Sequence, residues 1–222
     1  MRICFVTNGS FGSYEGDEKG ADVVCFPFHA LGEVSYEREL KGETSLFEDV
    51  AILSKTGKNV VVCGCYTNAR GMKRKSVVVA ERGRILGVAD MVNRIDGSEY
   101  RSGAGVKVFE TKAGKIGVIV AEDLYFPHVL ETIALCGADI AISVFEELNE
   151  SLELTLIRAG AFFYGLPVCT CAYGYAQAAD ATGKLRFSSP RSPCSYDLER
   201  EQEYHVVETR KRGFFLKRKS EF

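Results

Sequence analysis

Short runs of β-branched and apolar residues, punctuated by glycine and aspartate, recur along the whole chain. They predict strands over 2–7, 22–27, 59–66, 75–81, 85–90, 106–111, 115–121, 140–143, 168–173, 185–188 and 203–208. Several runs, such as Asn59-Val-Val-Val-Cys-Gly64 and Ala138-Asp-Ile-Ala-Ile-Ser143, are apolar without alternation, so both faces of those strands must be covered. Between them lie three helical patterns, over 45–56, 127–136 and 151–164. In the last, Leu152, Leu154, Thr155, Leu156, Ala159 and Phe163 give for the most part the 3.6-residue period of one helix face. Glu81-Arg-Gly-Arg84 and Lys112-Ala-Gly-Lys115 each join two β runs in the manner of a hairpin. Strands alternating with helices, interrupted by hairpins, predict an α/β protein with a mixed sheet, or two sheets packed face to face under helices. No linker, repeat or composition break appears, so one domain is expected over 1–208, followed by a basic tail over 209–222.

Charge narrows the classes of partner. Twenty-eight basic residues against 30 acidic ones leave a net charge of −2, which gives no general field for nucleic acid or anionic membranes. The local exception is the tail, where Arg210-Lys-Arg and Lys217-Arg-Lys flank Gly213-Phe-Phe-Leu216. Its expected state is a solvated end with an apolar centre packed on the body or on a second subunit. Met1-Arg2 runs straight into Ile-Cys-Phe-Val, too short for a leader's apolar region. The uncharged stretch 159–179 is long enough to span a bilayer. It contains Gly160, Gly165, Pro167, Gly174 and Gln177, and reads as a helix end, a turn and a buried strand. No membrane association is expected.

The eight cysteines, Cys4, Cys25, Cys63, Cys65, Cys136, Cys169, Cys171 and Cys194, lie mostly inside apolar runs, where a thiol acts as a small hydrophobe. The 63/65 and 169/171 pairs put two thiols on one strand face, and their spacing does not suit a zinc knuckle. No metal or cofactor is expected, and thiols kept in a core suggest a reducing, cytoplasmic setting. No phosphate-binding glycine loop or Gly-x-Ser-x-Gly elbow is present. Glu122-Asp123 directly follows an apolar strand, which is where α/β proteins place ligands. The structural alternative is that Asp123 caps the helix opening at Phe126-Pro127.

Several segments, taken in order, resemble the nitrilase, or carbon–nitrogen hydrolase, superfamily. Ala21-Asp-Val-Val-Cys-Phe-Pro27 is similar to its "Ala-Asp-Leu-Val-Val-Phe-Pro-Glu" strand. Gly114-Lys-Ile-Gly-Val-Ile-Val-Ala-Glu-Asp123 with Phe126-Pro127 is similar to its "Gly-Lys-Ile-Gly-Val-x-Ile-Cys-x-Asp-x-x-Phe-Pro" elbow. Asp90-Met-Val-Asn-Arg-Ile-Asp96, Glu99-Tyr-x-x-Gly103, Gly137-Ala-Asp-Ile140 and Ala181-Thr-Gly-Lys-Leu185 match further segments in the family's order. The resemblance runs from about residue 2 to 208. It implies a four-layer α-β-β-α sandwich of two mixed β-sheets and a homodimer docked helix-side near 159–174. The sandwich is shortened near the N-terminus, where about a dozen residues (9–20) stand in place of a full helix.

Family chemistry needs a cysteine nucleophile, a glutamate base and a lysine that stabilises the tetrahedral intermediate. By the resemblance those positions hold Ala121, Phe28 and Met91 here. A set of groups that acts as a unit loses most of its rate with one member. Replacing all of them by apolar residues avoids stranding an unpaired charge. The expectation is therefore a catalytically inactive member of the superfamily, binding a small molecule in the vestigial pocket or serving as a scaffold subunit. The alternative is a carbon–nitrogen hydrolase-like enzyme with relocated catalytic residues. Candidates for the pocket are His29, Glu99, Glu122 and Tyr125, with Glu99 expected to pair with Arg94 or Arg101.

Overall fold

A computed structural model describes residues 1–14, 20–148 and 150–199. The first sheet orders its strands as β13 (Cys194–Asp197), β1 (Arg2–Phe5), β2 (Val23–Phe26), β4 (Val60–Ala69), β5 (Met72–Glu81) and β6 (Arg84–Asp90), and the short β3 (Glu33–Ser35) also pairs with β4. The second sheet runs β12 (Leu185–Ser189), β11 (Tyr175–Ala179), β10 (Val168–Ala172), β9 (Ile140–Val144), β8 (Gly114–Val120) and β7 (Lys107–Thr111). Each sheet has three adjacent parallel strands at its centre, β1-β2-β4 and β10-β9-β8, and antiparallel strands at its flanks.

Strand alternation builds the layers. Ile3, Phe5, Val62, Val77 and Val79 of the first sheet meet Ile116, Val118, Ile142, Cys169 and Cys171 of the second in one buried cluster between the sheets. The opposite face of the first sheet, with Cys4, Val24, Val61, Cys63 and Cys65, packs on Val50 of α3 (Leu46–Thr56). The outer face of the second sheet, with Ile119, Ala141 and Val168, packs on α4 (Pro127–Leu135) and α5 (Glu150–Tyr164). Both Cys-x-Cys pairs thus keep their thiols on one face, and none of the eight cysteines is in a disulfide.

The sandwich is therefore α-β-β-α with two mixed sheets. The first sheet's outer layer is thin: among the described residues, the connection from β1 to β2 holds only a 3-10 turn at Phe11–Ser13. Two further short helices, α1 (Phe28–Leu31) and α2 (Tyr36–Leu40), sit between β2 and α3. Neither they nor β3, β11 and β13 announce themselves in the hydrophobic pattern. β11 is Tyr-Ala-Gln-Ala-Ala, poor in β-formers, and is a strand because β10 and β12 pair with it on both sides. The strand expected over 203–208 and the basic tail lie outside the described residues.

Candidate active site

The parallel strands β2, β8 and β9 deliver their C-terminal ends to one end of the sandwich, where α/β sheets carry their sites. β8 ends at Val120, and Ala121, with φ 48°, opens the 3-10 turn Ala121–Tyr125 that follows. A residue with a Cβ pays about 1–2 kcal/mol for that left-handed conformation. β2 ends at Phe26, and Pro27 leads into α1 with Phe28 as its first residue. Gly64 in β4 lets α1 approach: a Cβ there would lie 2.8 Å from the Phe28 nitrogen and 2.9 Å from Val144 Cγ1. Phe28, Met91 and Ala121, the three positions singled out in the sequence, are all buried in the inter-sheet cluster. Tyr66 and Tyr100 pack against that cluster, with ring centroids of Phe28 and Tyr66 5.3 Å apart.

Beside this apolar patch lies a charge cluster that the sequence reading did not contain. Lys75, in the middle of β5, is 5% exposed. Its Nζ donates to Glu122 Oε1 at 2.6 Å and to Glu146 Oε2 at 2.9 Å, and it lies 5.4 Å from the Tyr100 ring centroid, a cation–π distance. The Tyr66 hydroxyl donates to the other oxygen of Glu146. Burial opposes the Lys75 charge, but the two carboxylates outweigh it and hold the ammonium's pKa above its ordinary value. Burial likewise opposes the Glu146 charge. The Tyr66 and Lys75 hydrogen bonds, with the Lys75 and His29 charges, prevail and pull its pKa down. Burial first, then the bond to Glu146, drives the Tyr66 phenol up.

Lys75 is also the strand neighbour of Met91, whose backbone N–H bonds to the Lys75 carbonyl at 2.9 Å. The alternation of β5 could have revealed it: Lys75 shares parity with Val77 and Val79, both inward-facing.

A cavity of about 280 Å³ opens here, lined by His29, Ala121, Glu122, Tyr125, Phe145, Glu146 and Glu147. Three of the sequence candidates, His29, Glu122 and Tyr125, thus meet at one site. His29 is exposed at the cavity and its ring lies 5.4 Å from that of Tyr173. Glu99 is elsewhere: its carboxylate is exposed and pairs with Lys73 at 3.0 Å, not with Arg94 or Arg101. Asp123 is not the helix cap either. Its oxygens accept from the backbone N–H groups of Val92 and Asn93, both at 2.8 Å, and from the Asn93 amide, so it pins the segment after β6 against the elbow. Burial pushes the thiol pKa of Cys25 well up and that of Cys169 to about 12, so neither supplies a thiolate near neutrality.

These features define an α-β-β-α sandwich with a partly charged cavity at the ends of its parallel strands, and comparison with known proteins specifies its family. The carbon-nitrogen hydrolase family profile matches residues 15–184, and the chain belongs to that family. A Schizosaccharomyces pombe protein named "probable nitrilase" is 34% identical over 68 residues, a match that spans 25% of that relative's length and 30% of this chain. Among solved structures, a Cys-to-Ala mutant of a nitrilase-superfamily amidase from Nesterenkonia AN1 superposes with a TM-score of 0.77 at 15% identity, covering 96% of this chain and 94% of the amidase. Nit3 of Saccharomyces cerevisiae, from branch 10 of the nitrilase superfamily, gives 0.73 at 16% identity, covering 100% and 97%. A carbon-nitrogen hydrolase from Helicobacter pylori G27 gives 0.71 at 18%, covering 95% and 91%.

Proposed function

We propose that this chain is a carbon–nitrogen hydrolase family member that has given up the thiolate reaction and binds a small molecule in the cavity beside Ala121. The observation that carries this reading is the elbow itself: Ala121 keeps the left-handed backbone at the end of β8 and lines the cavity, yet offers only a methyl group. Phe28 and Met91, at the positions that resemble the family's glutamate and lysine, are 0% and 1% exposed in the apolar cluster. An acyl-transfer step on a thiol has no nucleophile there. The test pairs two measurements on the full chain. Amide, nitrile and N-carbamoyl substrates are expected to show no turnover above a buffer blank. A thermal-shift screen of small amines, amides, amino acids and carboxylic acids is expected to find a stabiliser, since a ligand that binds only the folded state raises the melting temperature. Flat curves throughout would favour a scaffold role instead.

One observation favours a second reading, in which catalytic groups have moved. Lys75 sits one strand over from Met91, within hydrogen-bond distance of Glu122 and Glu146, two carboxylates that line the cavity together with His29. An ammonium, carboxylates and an imidazole can support acid–base attack by water. Turnover in the same assays that is lost in Glu146→Gln and His29→Ala would establish it. Both readings have the chain acting in a reducing, cytoplasmic setting as a homodimer through α5, where Phe162 and Phe163 are 47% and 61% exposed. Light scattering of the purified chain checks the dimer.

A further inference from the structure

We propose that α5 is loosely seated on the second sheet and opens from it as a unit, carrying the Tyr125 wall of the cavity with it. The proposal does not depend on the binding reading above, because it concerns how the helix is held. It starts from the face that α5 turns inward. Glu153, Ile157 and Ala161 recur every four residues along that face and are 1%, 0% and 0% exposed. Ile157 is the one large apolar side chain among them. Leu154, Leu156 and Tyr164 are only half-buried, and Leu152 and Phe163 are exposed. α4 is the contrast: in nine residues it buries Val129, Leu130 and Ile133. The 15-residue helix is thus anchored by fewer fully buried apolar side chains than its shorter neighbour.

The sheet surface under α5 carries a polar row. α5 lies over β10 and β11, and α4 over β8. Thr170 of β10 stands in register with Ser143 of β9 on one side and Gln177 of β11 on the other. The chain neighbours of all three, such as Cys169 and Cys171, belong to the inter-sheet cluster, so by strand alternation the three side chains face the helix layer. Ser143 Oγ, Thr170 Oγ1 and Gln177 Oε1 are shut off from solvent and have no hydrogen-bond partner, and neither has Glu153 Oε2 on the helix. Seven buried side-chain atoms are in that state among the described residues, and four of them fall at this one seam. A buried polar group left unmet is costly, and the cost is relieved when the seam opens and water reaches it. Little apolar anchoring over an unsatisfied polar row is the mark of a segment that opens without the rest of the fold.

The same helix holds a wall of the cavity. Tyr125 lines that cavity, and its hydroxyl donates to Glu153 Oε1 at 2.6 Å. Its ring lies 6.1 Å from that of Phe145, a second lining residue. When α5 lifts, the bond to Glu153 breaks and the turn Ala121–Tyr125 loses its tie to the helix. The seating of α5 and the shape of the cavity are therefore linked, and whatever stabilises one stabilises the other.

Amide hydrogen exchange of the full chain, read by mass spectrometry in whatever oligomeric state the chain adopts, tests this. After correction for intrinsic rates, peptides from the middle of α5 are expected to exchange at least about tenfold faster than those of α4 and β10. Thr170→Val keeps the side chain's shape and removes an unmet hydroxyl. It is expected to slow α5 about tenfold and to leave α4 as it was. Ser143→Ala is expected to act in the same direction. Tyr125→Phe strips Glu153 of its donor and is expected to speed α5 about tenfold. The peptide over Ala121–Tyr125 is expected to slow together with α5 in Thr170→Val, and to stop following it once Tyr125→Phe is added. α5 exchanging no faster than α4 would overturn the loose seat. So would a Thr170→Val variant that speeds α5, since its hydroxyl would then have a partner, or one that slows α5 and α4 equally, since only global stability would have changed. A turn that does not follow α5 in Thr170→Val would overturn the link to the cavity.

Discussion

At the scale of single residues, Lys75 decides the character of the site. Its side chain is 7% exposed, and it stands between carboxylates whose side chains are 23% and 34% exposed. A cation in that place is costly to remove, because its partners then face each other unneutralised. Lys75→Met is expected to lower stability by about 2–3 kcal/mol in urea unfolding, below the range for a fully buried pair because the carboxylates retain some water. Adding Glu122→Gln and Glu146→Gln to that variant is expected to restore at least half of the loss. A triple variant no more stable than Lys75→Met would show that packing of the lysine stem, not charge, matters there. The same residue marks the limit of what the sequence discloses. His29, Glu122 and Tyr125 could be read because they flank strand ends whose motif is local. Lys75 lies in the run Met72-Lys-Arg-Lys-Ser76, which looks like a solvated strand start, and its partners are 47 and 71 residues away. Glu99 fails for the converse reason. A matching motif fixed its place in the chain, but the loop after Met91 turns its carboxylate outward to Lys73.

At the scale of elements, one contact outside regular pairing positions the site's wall and another starts an outer helix. Gly64 permits the close approach of α1 to β4, and Gly64→Ala must displace either the Phe28 backbone or Val144. The expected cost is about 1–3 kcal/mol in denaturant unfolding, as for other overpacked cores. A midpoint unchanged from the parent would show that α1 can move away freely. The second contact is the start of α3. Ser45 makes no side-chain cap; instead Glu39 from α2 accepts from the N–H groups of Leu46 and Phe47 at 3.1 and 3.2 Å. A carboxylate at a helix N-terminus also complements the helix dipole. Glu39→Ala is expected to cost about 1 kcal/mol, read as a lowered melting temperature, and Glu39→Gln about half of that. Equal losses in the two variants would exclude the charge contribution. The long apolar strands and the helices over 46–56 and 127–135 were legible because the apolar pattern and burial agree in them; the helix over 150–164 was legible in extent but not in its face, since Leu152 and Phe163 are exposed while Ile157 and Ala161 are buried. β3, β11, β13, α1 and α2 were not legible. Each is five residues or fewer, and tertiary pairing or packing fixes its conformation against weak local preference.

At the scale of the whole molecule, the Lys75 cluster is a tie between the two sheets. Lys75 belongs to β5 of the first, while Glu122 and Glu146 follow β8 and β9 of the second. The inter-sheet core between them is apolar and insensitive to pH, so the pH dependence of stability must come from such ionised ties. The sign follows from the direction of each shift. Glu146 has a lowered pKa in the fold, so its contribution is complete above its ordinary value of 4.5 and is lost as pH falls through the lower, folded value. Asp180 behaves likewise: burial opposes its charge, but the bonds from Thr182, Arg186 and Lys184 prevail and lower its pKa. Asp123 acts in the opposite sense, since burial raises its pKa and acidification through that range relieves a buried charge. Lys75 has a raised pKa, so its contribution persists below its ordinary value of 10.5 and fades only as pH rises through the higher, folded value. A plateau of melting temperature is therefore expected from about pH 5 to about pH 10, with loss on both sides. Glu146→Gln is expected to lie below the parent on the plateau and to converge with it only in acid, once the pH has fallen below the lowered, folded pKa and the parent's carboxylate is protonated as well. Curves that stay parallel down to that pH would show that Glu146 does not carry the acid limb, and would move it to Asp180, for which Asp180→Asn is the matching variant.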